Sequence, residues 1–264
     1  MDRRPIGVFD SGLGGLCAVR ELNALLPGER IIYFGDTGRV PYGTRSAETI
    51  KKYAMQDVRF LLSCGVKAIL AACGTVSSVA LEELKKSVPV ALFGVVDDAV
   101  STALSVTKNG KIAVIGTEAT IASGVMENKL KAGGASTVGV ACPLFVSLVE
   151  CGFIGENDGV ALAACEKYLA AVRTFGADTL IMGCTHFPII EKAISKVLPG
   201  VTLINPSKEA AAALTGEISK RGLDFCGDGG TQYFVSDEPE RFGEVAKIFM
   251  GSEVSATKID IENY

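Results

Sequence analysis

Residues 6–12 read IGVFDSG, and residues 112–118 read IAVIGTE. In each, a run of β-favouring residues gives way to small and polar ones, the pattern of a strand buried on both faces that ends in a turn. Similar runs recur as IIYF (31–34), AILAA (68–72), VALF (90–93), TVGVA (137–141), TLIM (179–182) and VTLI (201–204). Amphipathic stretches lie between them: in SAETIKKYAMQDVRFLLSCG, Ile50, Ala54, Val58 and Leu61 fall at helical spacing with charges on the other side. Strands alternating with such helices predict an α/β fold built on parallel sheets flanked by helices.

The two quoted stretches also reveal a repeat. With Ile6 set against Ile112, Asp36 and Cys142 mark the next polar strand ends at equal distance, while Cys73 and Cys184 each precede a helix and then a proline, Pro89 or Pro199. The spacing predicts two similar lobes, residues 1–97 with 208–264 forming the first and 98–207 the second. The segment from 208 reads as a helix, after which TQYFVS and VSATKIDI are expected to add edge strands to the first lobe. Ligands of open α/β sheets gather at the carboxyl ends of the strands. There the sequence places DSG, GDTG, CGT, GT, CP and CTH, so two facing lobes would set Cys73 and Cys184 on opposite walls of one cleft.

Composition narrows the function. The 264 residues are 48% hydrophobic and 21% charged, with a net charge of −4. A pI near 5.3 and the lack of a basic run argue against nucleic-acid binding. MDRRPIGVFDSG lacks the apolar core of an export signal, and no segment approaches the ~20 apolar residues of a membrane span, so a cytoplasmic protein without a membrane partner is expected. Eight cysteines lie mostly in apolar segments and read as reduced thiols. A single histidine cannot complete the common Cys/His zinc sets, so no metal is expected. DSGLGGLC places Cys17 where a dinucleotide fingerprint needs its third glycine, which argues against a nucleotide cofactor; its turn amides still suit a carboxylate.

Buried cysteines are ordinarily inert, and that is the reading for Cys64, Cys165 and Cys226. Cys73 and Cys184 differ because each sits where a strand meets a helix, a location expected to favour the thiolate. Each also has hydroxyls beside it, and His186 follows Cys184 closely. Two opposed thiols fit the inversion of a carbon stereocentre, with a base on one face of a planar carbanion and an acid on the other. Ser11, Thr75, Thr117, Thr120 and Thr185, with backbone amides, are suited to stabilise the charge passed into a substrate carboxylate.

These residues lie in motifs whose order, GVFDSGLGG, FGDTGRVPYG, ACGT, VIGTEATI, CPLFVSLVE and MGCTHFP, resembles the glutamate racemase family nearly end to end. The resemblance implies a two-lobed α/β fold and cofactor-independent interconversion of L- and D-glutamate for the bacterial cell wall. It implies that Cys73 and Cys184 exchange the proton, with Asp10 and His186 assisting the neighbouring thiols. It further implies substrate contacts at Asp10, Ser11, Tyr42, Gly43, Gly74, Thr75, Thr185 and His186, with Thr117 and Thr120 near the site, and it makes a homodimer the common assembly. The rival readings are an aspartate or other amino-acid racemase of the same superfamily and a non-catalytic, gyrase-binding role.

The sequence departs from the family pattern in two places. Gly74 stands where the family usually has asparagine, and Asp97, Asp98 and Ala99 replace its Glu-Pro-Gly. Gly74→Asn is expected to supply the missing amide and lower the Michaelis constant, provided the backbone tolerates a side chain.

Overall fold

The computed structural model describes residues 2–264. Its strands are β1 (Ile6–Asp10), β2 (Arg30–Gly35), β3 (Ala68–Ala71), β4 (Ala91–Gly94), β5 (Lys111–Gly116), β6 (Ser136–Ala141), β7 (Thr179–Met182), β8 (Thr202–Ile204), β9 (Gly230–Val235) and β10 (Ala256–Lys258). Every strand run read from the sequence forms one. They make two sheets, ordered β10-β9-β2-β1-β3-β4 and β6-β5-β7-β8, in which all neighbours run parallel.

The first four strands and the next four therefore share one spatial order, β2-β1-β3-β4 against β6-β5-β7-β8. This agreement carries the repeat where residue identity between the halves is thin. Each sheet with its flanking helices makes one lobe of an α/β fold. β1, β3 and β7 are buried at every residue because helices cover both faces of the sheets. β9 and β10 return from the end of the chain to extend the first sheet beyond β2.

The helices start where local chemistry favours them. Ser46 accepts the Thr49 amide at the start of Ala47–Ser63, Asp158 accepts two amides at Gly159–Phe175, and Asn205 caps Pro206–Lys220. Helix Pro206–Lys220 packs on Leu16–Leu25 of the first lobe and on Asp97–Val106 of the second, joining the two behind the cleft.

At the amino ends of the first lobe's strands, Lys67 Nζ lies 2.6 Å from Glu29 Oε2, with both side chains out of solvent. The ammonium also donates to the carbonyls of Asp2 and Leu223, so its donors are used despite burial. The carboxyl ends, where the candidate residues lie, are shaped differently.

Candidate active site

Parallel register fixes which strand ends meet. β1 places Asp10 beside Gly35 and Phe9 beside Ala71, while β5 and β7 pair Ile115 with Met182. The turns that follow converge from both lobes on a narrow cleft. Ser11, Tyr42, Gly43, Cys73, Gly74, Thr75, Thr117, Cys184, Thr185 and His186 line it, together with Val40, Pro41, Val146 and Gly183, which sequence reasoning did not single out.

Asp10 and Thr120 stand behind this lining. Asp10 is 1% exposed. One of its oxygens accepts the Gly12 amide at 3.0 Å and the other accepts the Thr185 hydroxyl at 3.5 Å. Burial raises its carboxyl pKa, against the opposing pull of His186 and the Gly15 and Gly12 amides. Thr120 bonds Thr117 at 2.9 Å, and Thr117 bonds Thr75 at 3.0 Å, a hydroxyl cluster that crosses from one lobe to the other. Thr117 also caps the helix Glu118–Ser123.

The two thiols have unlike surroundings. Cys73 ends the β3 turn as the N-cap of Gly74–Val79, a helix of only 6 residues, and its Sγ lies 3.6 Å from Ser11 Oγ. The expectation of a favoured thiolate fails here. Burial, seconded by the charge of Asp10, pushes the Cys73 thiol up to about 12, and the Val76 amide and Ser11 do not offset it. At Cys184 no α-helix begins at all: Phe187–Ile190 is a 3-10 turn, so a helix dipole is a weaker argument there too.

Cys184 instead has the histidine, with Sγ 3.9 Å from His186 Nδ1. The other ring nitrogen, Nε2, lies 3.0 Å from Glu150 Oε1. Burial pushes the His186 imidazole down, but the hydrogen bonds and charges of Cys184 and Glu150 prevail and raise it to about 10. At neutral pH the ring is an imidazolium that donates to Glu150 and points its second N–H at the sulfur.

Glu150 was missed in the sequence, although its motif was noted. The available signal was a carboxylate on the last residue of the helix Leu144–Glu150, an end that disfavours negative charge without a cationic partner. Tyr42 lines the cleft, but its hydroxyl bonds the carboxylates of Asp36 and Asp57 away from it.

Two glycines are explained by close approach between lobes. A Cβ on Gly14 would stand 2.0 Å from Thr185 Oγ1, and one on Gly74 would stand 2.2 Å from the Gly183 carbonyl oxygen. The Gly74→Asn expectation is thereby overturned. The backbone that an asparagine would have to displace already fills its place, and no positive φ is involved. Among the described residues, no group of three or more His, Cys, Asp or Glu side chains could hold a metal ion.

The model of the Asp/Glu/hydantoin racemase family matches residues 17–214. The chain belongs to that family. It is an enzyme, an isomerase of the racemase type. It is 44% identical over 258 residues to the glutamate racemase of Chlorobaculum tepidum, covering 95% of this chain and 93% of that one. Identity to the glutamate racemase of Persephonella marina is 40% over 257 residues, covering 97% of each chain. The crystal structure of the Francisella tularensis glutamate racemase in complex with D-glutamate superposes with a TM-score of 0.94 at 35% identity, over 100% of both chains. The racemase therefore shares its whole architecture with the Francisella tularensis relative. No helix among its described residues is long and apolar enough to cross a membrane.

Proposed function

We propose that this racemase interconverts L- and D-glutamate by proton transfer between Cys73 and Cys184, without a cofactor, and supplies D-glutamate for peptidoglycan in the cytoplasm. The observation that carries the reading is the placement of both thiols on one cleft, from equivalent turns of two lobes with the same strand order. A thiolate on one side removes the Cα proton, and the thiol on the other returns a proton to the opposite face, which inverts the centre.

The unlike surroundings support one division of resting roles. Cys73, with its raised pKa, holds its proton and serves as acid, while Cys184 faces the His186 imidazolium and serves as base. The roles exchange when the opposite enantiomer binds. Hydroxyls of Ser11, Thr75, Thr117 and Thr185, which line the cleft, stabilise the charge that develops in the substrate carboxylate. Their number supports an amino acid bearing carboxylates, and the D-glutamate bound by the Francisella tularensis relative supports glutamate.

The test is incubation of the protein with L-glutamate in D2O after dialysis against chelator, following Cα deuterium and optical rotation together. Deuterium entering Cα as rotation decays is the expected result. Activity only with added pyridoxal phosphate or metal would overturn the two-thiol reading, and turnover of aspartate in preference to glutamate would overturn the substrate.

A further inference from the structure

Behind the cleft, three side chains that the proton transfer does not use form a buried chain. The Tyr42 hydroxyl touches Asp36 Oδ2, and it lies 3.0 Å from Asp57 Oδ2. Tyr42, Asp36 and Asp57 are each fully buried. A phenol has one proton to donate, so it cannot satisfy two ionised carboxylates at once; one of the two acids must supply a proton of its own.

The remaining contacts decide which. Asp36 accepts from Arg39 Nε at 2.6 Å and from Ser236 Oγ at 2.7 Å in addition to Tyr42, a set of donors that stabilises an ionised carboxylate. Among the described residues, Asp57 has one cationic contact, Arg39 at 3.1 Å, and no other donor besides the phenol. Arg39 also bonds Glu262 at 3.3 Å, but that carboxylate is exposed and hydrated; within the buried group, one arginine faces one ionised carboxylate.

Resting on the racemase reading above, we infer that Asp57 is held as a neutral carboxylic acid that donates to Tyr42, which in turn donates to Asp36, and that this chain positions the 41–44 segment against the substrate. Burial and the neighbouring Asp36 raise the Asp57 pKa well above the usual carboxylate range, in the direction this arrangement needs. The segment in question brings Pro41, Tyr42 and Gly43 to the cleft wall. Its polar anchor is Tyr42, and Ser236 extends the anchor to the returning strand by accepting the Gly38 amide at 2.8 Å. Asp57 is a positioning residue: it acts through Tyr42 and lies outside the cleft lining.

Three variants test the chain. Asp57→Asn keeps a neutral donor of the same shape and is expected to hold kcat and KM for glutamate within about twofold of the parent. Asp57→Ala and Tyr42→Phe are expected to raise KM about tenfold, with a smaller change in kcat, because ordering of the segment precedes chemistry. Infrared difference spectra at neutral pH should show a protonated-carboxyl band in the parent that Asp57→Asn removes. The inference is overturned if Asp57→Asn loses as much as Asp57→Ala while its melting temperature is unchanged, if Tyr42→Phe and Asp57→Ala both keep parental kinetics, or if the band is absent. The spectrum needs no turnover. A protein that left glutamate untouched would refute the substrate reading, and the band would still decide the state of Asp57.

Discussion

Cys73 and Cys184 occupy the same place in two lobes of the same strand order, yet the residues around them are opposites. Cys73 is held by burial, a serine hydroxyl and the charge of Asp10, all within the first lobe. Cys184 is held by an imidazolium whose second nitrogen is bonded to a glutamate from another helix of its own lobe. A repeat can therefore deliver two thiols to one site, but the polar neighbours of each come from residues that the repeat does not copy. The proposed inversion needs such an asymmetry, since two thiols or two thiolates in one cleft would lack either the base or the acid.

The most severe way to break the comparison is to remove one thiol. Cys73→Ser and Cys184→Ser are each expected to lower turnover by about 10²–10⁴-fold, the usual contribution of a positioned acid or base, with little change in melting temperature. Racemase assays beside melting curves check this, and full activity in either folded variant would remove that cysteine from the mechanism. Mass mapping of alkylation at mildly alkaline pH sharpens it: Cys184 should be modified before Cys73, whose thiol is held up to about 12.

A smaller effect is expected from the partner of His186. Glu150→Gln keeps the shape but replaces a charged acceptor, which at ~1.5–3 kcal/mol for a hydrogen bond to a charged group corresponds to a roughly 10–100-fold loss of kcat. The alkaline limb of the pH–rate profile should move to lower pH as the imidazolium loses its counter-charge. An unmoved limb would separate Glu150 from the titration of His186.

Where the halves touch, Gly74→Ala puts a methyl against the Gly183 carbonyl. Overpacking of this kind costs about 1–3 kcal/mol, and the variant should melt lower and bind glutamate more weakly. Unchanged stability together with a lower Michaelis constant would mean that the lobes separate freely at this point.

The mildest effect concerns pH. His186 is raised from 6.5 to about 10, so the folded state binds its proton more tightly than the unfolded chain. Its contribution to stability is complete below about 6.5 and is lost as pH rises through about 10. Cys73, raised from 9.0 to about 12, adds a second loss in the same direction above 9.0. Denaturant midpoints should fall between pH 7 and 10 in the parent, and His186→Asn should flatten the first part of that fall.

Sequence alone determined the strands, because a strand buried on both faces must be an uninterrupted apolar run, and IGVF, AILA and TLIM are such runs. It also placed the thiols at strand ends, since the change from apolar to small and polar residues marks where a strand leaves the sheet. What tertiary structure alone decided are the relations between residues far apart in the chain. Glu150 meets His186, Asp57 meets Tyr42, and Gly74 meets the Gly183 carbonyl, and none of these pairings leaves a local periodicity to read. The same holds for the charge state of Cys73. A strand-to-helix junction predicts a favoured thiolate from local geometry, but desolvation depends on everything packed around the sulfur, and in this fold it outweighs the short helix.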